Sequence, residues 1–460
     1  MQAKGERERF ATRLGFILIS AGCAIGLGNI WRFPYVAGKY GGGAFVLFYL
    51  VFLVLLGLPI LVMEFAVGRA SQRSAADSFR RLEPKGSKWH FMSVPAVAGN
   101  YLLMMFYTTV GGWMLSYVVK MLRGEFEVVS PQLTEEVFDR LLRSPSQMVF
   151  WMLLTVCLGF FTCSFGLQKG VERVTKVMMS CLLGLLLVLC IRSLTLPGAA
   201  QGVAFYLLPD FGRLTSNGLA NTLFAAMGQA FFTLSVGIGS MAVFGSYIGR
   251  ERTLLGESIH ICALDTAVAL LGGLIFFPAC FALGIDPGEG PGLVFVTLPG
   301  VFQNMPGGRF FGALFFLFLS FAALSTIVAV FENLIRFWID RFGWSRRRSV
   351  VVNLLLVSFL SLPCALGYNL LSFIQPMGPG STIQDLEDFL VSNNLLPLGS
   401  LGYLLFCTAR SGWGWEGFLN EANTGRGILF PRWARIYVSH LLPILILVLL
   451  IAGYWQRFFA

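Results

Sequence analysis

Apolar residues run along this chain in long, nearly unbroken blocks separated by short polar stretches. Eleven such blocks stand out, at 13–37, 43–70, 91–122, 147–166, 174–195, 218–247, 255–283, 308–340, 349–367, 384–408 and 436–457. Each is close to the ~20 residues that a helix needs to cross a bilayer. A transmembrane β-barrel would instead show short segments of alternating polarity. Inside hydrocarbon a spanning segment must satisfy its own backbone hydrogen bonds, which a helix does. The pattern therefore predicts an all-α integral membrane protein of eleven transmembrane helices, spans 1 to 11. The longest polar stretches, 123–146 and 71–90, are too short to fold alone. A single transmembrane domain over 1–460 is expected.

Composition sharpens this picture in two places. The chain is 56% apolar and only 13% charged, with 44 Phe, whereas soluble domains carry about 25% charged residues. The formal net charge of +10 invites a nucleic-acid reading, but the distribution of the charge argues against it. With the N-terminus placed in the cytoplasm, the inner segments hold 24 of the 34 Lys and Arg and the outer segments nine, with Arg32 inside span 1. That asymmetry is the positive-inside rule. It places the N-terminus in the cytoplasm and, with eleven spans, the C-terminus outside. Arg346, Arg347 and Arg348 read as an inner-face anchor. Span 1 has no small-residue cleavage site and is expected to stay as an uncleaved anchor. The nine cysteines lie in or beside apolar blocks without metal-ligand spacing, so they read as small buried hydrophobes.

Two spans are interrupted by glycine in the same way. Span 1 carries Ala24-Ile25-Gly26-Leu27-Gly28-Asn29 and span 6 carries Ser235-Val236-Gly237-Ile238-Gly239-Ser240. Glycines at membrane depth commonly mark helix packing, and Gly22-x-x-x-Gly26 fits that form. The match between two spans five apart favours another origin. Five is odd, so the two segments cross in opposite directions, as in an inverted repeat of spans 1–5 (1–195) and spans 6–10 (218–408), followed by an added helix in 409–460. Paired interruptions of this kind point to a transporter site. Unwinding frees amides and carbonyls that hydrocarbon tolerates only where they line a cavity. Helix N-termini favour a carboxylate and freed carbonyls a cation. A zwitterionic amino acid with Na⁺ meets both demands. Further polar residues inside spans, which are costly there and usually functional, are Asn29, Arg32, Glu64, Thr233, Ser235, Asp265, Ser325, Thr326 and Glu332.

The stretch Arg13-Leu14-Gly15-Phe16 with Gly26-Leu27-Gly28-Asn29-Ile30-Trp31-Arg32-Phe33-Pro34-Tyr35 resembles the signature of the neurotransmitter:sodium symporter family. Gly41-Gly42-Gly43-Ala44-Phe45, Glu64-Phe65-Ala66-Val67-Gly68-Arg69 and Gly228-Gln229-Ala230-Phe231-Phe232-Thr233-Leu234-Ser235 extend the resemblance over nearly the whole chain. It implies the leucine-transporter fold with broken helices 1 and 6. It also implies two sodium sites and no organic cofactor. The first site would use the carbonyls of Ala24 and Thr233, the side chains of Asn29 and Thr233, and Asp265. The second would use the carbonyls of Gly22, Ile25 and Ala322 with the hydroxyls of Ser325 and Thr326. Oxygen donors suit a hard cation. The substrate pocket would comprise Ala24, Gly26, Gly28, Leu103, Tyr107, Phe232, Thr233, Ser235, Ile238, Thr326 and Val330. The Tyr107 hydroxyl would bond the substrate carboxylate and Phe232 would close over it. The resemblance also implies an outer gate of Arg32, Asp388 and Gln229 and an inner gate of Arg7, Asp340 and Tyr247. Glu64 would hold the unwound backbone.

Three departures from the family pattern carry expectations of their own. Asp265 stands where many members have Asn, and Ala269 where chloride-dependent members place a hydroxyl, so chloride independence is expected. Ser325-Thr326 reverses the commoner order but keeps both hydroxyls. The eleven spans suggest a bacterial member in the cell's inner membrane. Gly26, where monoamine transporters carry Asp, leaves room for the substrate's own carboxylate. With an apolar side-chain pocket, this favours neutral hydrophobic or aromatic amino acids. The expected partners are that substrate and membrane lipid; the sequence does not fix an oligomeric state. Enzymatic chemistry is not indicated, since HExxH is missing. The main alternative is an amino-acid sensor of the same fold that binds without transporting.

Overall fold

The computed structural model describes residues 10–126, 131–212, 219–282, 284, 293–303 and 306–458. Among these residues the secondary structure is helical apart from two isolated bridges, Gly42 with Pro209 and Arg252 with Arg426. Among the described residues, nine unbroken helices are long and apolar enough to span a membrane: Gly43–Ser71, Trp89–Arg123, Pro145–Ser164, Leu167–Leu194, Leu254–Ala282, Gly308–Phe342, Arg346–Leu366, Ile383–Thr408 and Ala434–Ala452. These are spans 2–5 and 7–11. Span 1 is a bent pair, Arg13–Ala24 and Gly28–Lys39, with 62° between its halves. Span 6 is likewise divided, into Leu219–Thr233 and Ser240–Gly245.

Local chemistry sets where these helices start. The Thr12 hydroxyl accepts from the Gly15 N–H at 3.0 Å and opens span 1. Ser345 opens span 9 through the Arg348 N–H at 3.3 Å. Thr382 and Asp385 open span 10 with a reciprocal capping box, which satisfies two amides that the first turn leaves free. Spans 3 and 8 each run 35 residues, about 52 Å of helix, so both are tilted or project beyond a hydrocarbon layer of about 30 Å. They pack along each other and form the centre against which spans 1 and 6 lie. Large apolar side chains such as Phe150, Phe161, Leu355, Phe359 and Ile444 are exposed on the outer surface of the bundle, where lipid takes the place of water.

The inner half of span 6 is bound to span 2 with almost no space between the backbones. A Cβ on Gly68 would fall 1.8 Å from the Ala242 carbonyl oxygen, and one on Gly245 would fall 2.5 Å from that of Phe65. Backbone cannot swing aside as a side chain does. Gly68→Ala is therefore expected to separate the two helices and lower stability by roughly 1–3 kcal/mol or more. A thermal melt of the purified protein in detergent checks this; an unchanged midpoint would contradict the close packing.

Candidate functional site

Span 1 leaves helical geometry at Ile25 (ψ 85°) and resumes at Gly28 in a wide turn to Arg32. Span 6 breaks between Thr233 and Ser240, where Gly237 and Gly239 have φ of 100° and 81°. These are left-handed values that glycine adopts freely. Ser235 adopts φ 48°, which is unusual for a residue with a side chain and common at binding sites.

The backbone groups freed by the two breaks are held by side chains from neighbouring spans. Glu64 Oε1 accepts from the Gly237 N–H at 2.5 Å. The Tyr107 hydroxyl accepts from the Leu27 N–H at 3.0 Å. Gln229 Nε2 donates to the Gly28 carbonyl at 2.9 Å, and Asn100 Nδ2 to the Ile238 carbonyl at 2.8 Å. Ser235 Oγ donates to the Cys23 carbonyl at 3.3 Å, tying one break to the other. Orphaned backbone groups at this depth are costly, and these contacts account for how the two interruptions persist side by side.

Beside the breaks lies a buried carboxylate. Asp265 of span 7 accepts from Asn29 Nδ2 at 2.8 Å and from the Thr233 hydroxyl at 3.0 Å. All three residues are within 1% of full burial. Asn29 Oδ1 is buried with no hydrogen-bond partner. An unpaired amide oxygen next to a carboxylate is a donor set suited to a hard cation. A second oxygen cluster lies between spans 1 and 8. Ser325 Oγ donates to the carbonyls of Gly22 and Ala322 at 2.8 and 2.9 Å. Thr326 Oγ1 lies 3.3 Å from the carbonyls of Gly22 and Cys23. Ile25, from the same expected set, is the residue at which span 1 breaks.

Between these clusters is a narrow cavity of about 20 Å³, lined by Ala24, Gly26, Gly28, Leu103, Tyr107, Phe232, Ser235, Ile238, Thr326 and Leu396. Val330 does not line it; it lies one turn beyond Thr326 on span 8, buried among its neighbours. Leu396 does line it and is missing from the residues picked out in the sequence. It belongs to span 10, far along the chain and outside any glycine-marked motif. Asn100, a lone amide within span 3, is a second omission, although an in-span polar residue is itself a signal.

The outer gate residues are arranged differently from the pair that the resemblance implies. Arg32 does not pair with Asp388: its guanidinium lies 4.4 Å above the Phe232 ring, while Asp388 accepts from the Ser392 hydroxyl at 2.7 Å. A cation on an aromatic face is favourable once desolvated, and here it sits directly over the cavity. Outside it, a vestibule of about 220 Å³ is lined by Arg32, Tyr35, Gln229, Phe232, Asn393 and Leu396, among others. On the inner side Asp340 pairs with Arg336 at 3.0 Å and accepts from the Ser74 N–H at 2.6 Å. Arg7 lies outside the described residues. The Tyr247 hydroxyl donates to Glu332 at 2.9 Å. Glu332 is fully buried, and Arg346 pairs with it while also donating to the Cys163 carbonyl at 2.9 Å. Arg346 is thus part of an interior ion pair and not only an interfacial anchor.

Known proteins resemble the chain along most of its length. A sequence profile of the sodium:neurotransmitter symporter family matches residues 7–130 and 132–457. An uncharacterized sodium-dependent transporter of Bacillus subtilis, YhdH, is 39% identical over 398 residues, covering 86% of this chain and 87% of that one. One from Haemophilus influenzae is 31% identical over 464 residues, 97% of this chain and 98% of its own. The crystal structure of MhsT in complex with L-phenylalanine superposes with a TM-score of 0.86 at 37% identity, over 97% of this chain and 100% of that one. Two broken helices meeting at a buried carboxylate, on a fold shared at this identity, leave one assignment: the chain belongs to the sodium:neurotransmitter symporter family.

Proposed function

We propose that this protein is a Na⁺-coupled symporter of neutral hydrophobic or aromatic amino acids, working by alternating access without chloride. The observation that carries the proposal is the meeting of the span 1 and span 6 breaks with Asp265, Asn29 and Thr233 at one buried point. The substrate's α-carboxylate faces the span 1 amides and the Tyr107 hydroxyl, close to the first Na⁺. Its side chain enters the apolar wall of Leu103, Phe232, Ile238 and Leu396. Gly26 has no side chain to compete for that carboxylate. The solved complex of MhsT with L-phenylalanine supports the same substrate class.

Two sodium ions fit the two oxygen clusters: Ala24, Asn29, Thr233 and Asp265 at the first, and Gly22, Ile25, Ala322, Ser325 and Thr326 at the second. The fixed charge of Asp265 balances Na⁺ where a bound anion otherwise would, and Ala269 beside it offers no hydroxyl to a chloride. Coupling requires Na⁺ to bind one state of the protein more tightly than another. Closure of Phe232 with Arg32 above it seals the outer path, and rearrangement around Asp340, with Arg7, opens the inner one. The chain lies in a bacterial inner membrane with its N-terminus in the cytoplasm and its C-terminus outside.

Uptake of labelled leucine, phenylalanine, tyrosine and tryptophan into proteoliposomes tests this reading. A strict requirement for Na⁺ is expected, with no loss when chloride is replaced by gluconate. Na⁺-dependent binding without uptake would favour a sensor, and collapse in gluconate would remove the role given to Asp265.

A further inference from the structure

Span 10 starts at its outer end with the helix Ile383–Leu390, widens into a turn at Val391–Leu395 and continues inward as Leu396–Thr408. Ser392, Asn393, Leu396 and Pro397 form part of the vestibule wall. One turn before Val391 is a carboxylic acid that the transport site does not use. Glu387 is 3% exposed, and neither of its oxygens has a hydrogen-bond partner. It lies where span 10 packs against spans 3 and 9. From span 9 the Cys364 thiol is beside it, and from span 3 the Thr109 hydroxyl is beside that thiol. Thr109 Oγ1 has no partner at hydrogen-bonding distance either. Tyr368, just past span 9, and Asp385 on its own helix are the nearby titratable groups. Asp388, next in the chain, is engaged by Ser392. Among the described residues no lysine, arginine or histidine pairs with Glu387.

A charged carboxylate with no cation and only a weak thiol donor beside it is far more costly in such surroundings than a neutral acid. From this geometry we propose that Glu387 is a proton-binding site. It takes a proton from the external water when the outer end of span 10 packs against spans 3 and 9, and returns it when that packing opens. One O–H bond forms on Glu387 as one in hydronium breaks, release to water is the reverse, and no other bond changes. The packed form then holds one proton more than the open form. Lowering the external pH favours the packed form, by at most tenfold per pH unit, and raising it favours opening. Because span 10 forms part of the vestibule wall, external pH would set how often the vestibule is open.

The consequence for gating rests on the transporter reading above; the proton site itself does not. Two measurements separate them. Infrared pH-difference spectra of the purified protein should show a protonated-carboxyl band that is missing from both Glu387→Gln and Glu387→Met. The second variant suits an apolar site if the amide is poorly accommodated. Spectra identical to the parent's would overturn the proposal whether or not the protein transports. For gating, Ala225→Cys places a thiol in the vestibule wall, to be labelled with a membrane-impermeant reagent above the background of the parent. With Glu387 intact the labelling rate, normalised to that of a free thiol at the same pH because the thiolate is the reacting form, should fall several-fold from about pH 8 to about pH 6. In Glu387→Gln the normalised rate should stay low and flat. Equal slopes in the two backgrounds, or no slope in either, would overturn the coupling.

Discussion

Asp265→Ala is expected to weaken the apparent affinity for Na⁺ by about two to four orders of magnitude, with the protein still folded. The carboxylate is the one formal negative charge at the first oxygen cluster, and it orients both neutral donors there: the Asn29 amide at 2.8 Å and the Thr233 hydroxyl at 3.0 Å. Removing one partner from a buried charged pair costs about 3–5 kcal/mol, and each 1.4 kcal/mol is tenfold in affinity. The cost falls on the ion-bound state. Without Na⁺ the substitution removes a buried charge along with two hydrogen bonds, so stability changes much less. Asp265→Asn separates the two contributions, since the amide keeps a hydrogen-bonding group of the same shape and loses only the charge. A Na⁺ titration of substrate binding reads both variants. A half-saturating Na⁺ concentration unchanged in Asp265→Ala would place the coupled ion elsewhere.

Asp265 is legible in the sequence because some signals do not depend on how the chain packs. The spans were legible because crossing hydrocarbon demands a long apolar block wherever the helix ends up in the fold. The breaks were legible because a helix that unwinds at membrane depth uses glycine, and the same spacing of two glycines occurs within 24–29 and 235–240. Contacts between distant side chains were less so. Leu396 is an ordinary leucine in an apolar block, and only the packing of span 10 against span 6 brings it to the cavity. Glu332 stood out as an in-span charge, but its partner Arg346 sits in a run of three arginines that reads as a membrane-surface anchor. The meeting of span 8 with the start of span 9 turns one member of that run inward. Arg32 and Asp388 are both polar and both near the outer end, so the resemblance implies a pair. The structure instead lays the guanidinium on Phe232, whose ring supplies a nearer face. Glu387 was invisible for a related reason: beside Asp385 and Asp388 it reads as one of several acids at a helix start, and only packing shows which of them faces the interior.

Gly26→Ala is expected to lower substrate affinity by about two to four orders of magnitude and to lower the thermal midpoint modestly. The backbone at Gly26 does not have a positive φ, so alanine can adopt it and the break can still form. The added methyl, however, would lie 2.4 Å from the Tyr107 hydroxyl and 2.9 Å from Thr326 Oγ1. Tyr107 would have to withdraw, giving up its bond to the Leu27 N–H and leaving the place proposed for the carboxylate. The lost Leu27 contact costs the empty protein about 1–3 kcal/mol; the bound state further loses the Tyr107 bond to the carboxylate, about 1–3 kcal/mol, and is overpacked by about 1–3 kcal/mol more. Gly28→Ala is the informative contrast. Its methyl meets the edge of the Phe232 ring at 2.7 Å, and that ring can swing toward the vestibule. Binding should then fall less, and the main loss should be in closure, seen as slower uptake at saturating substrate. A larger affinity loss at Gly28 than at Gly26 would mean that the carboxylate does not lie against span 1 at Tyr107, and the substrate would have to be turned around in the pocket.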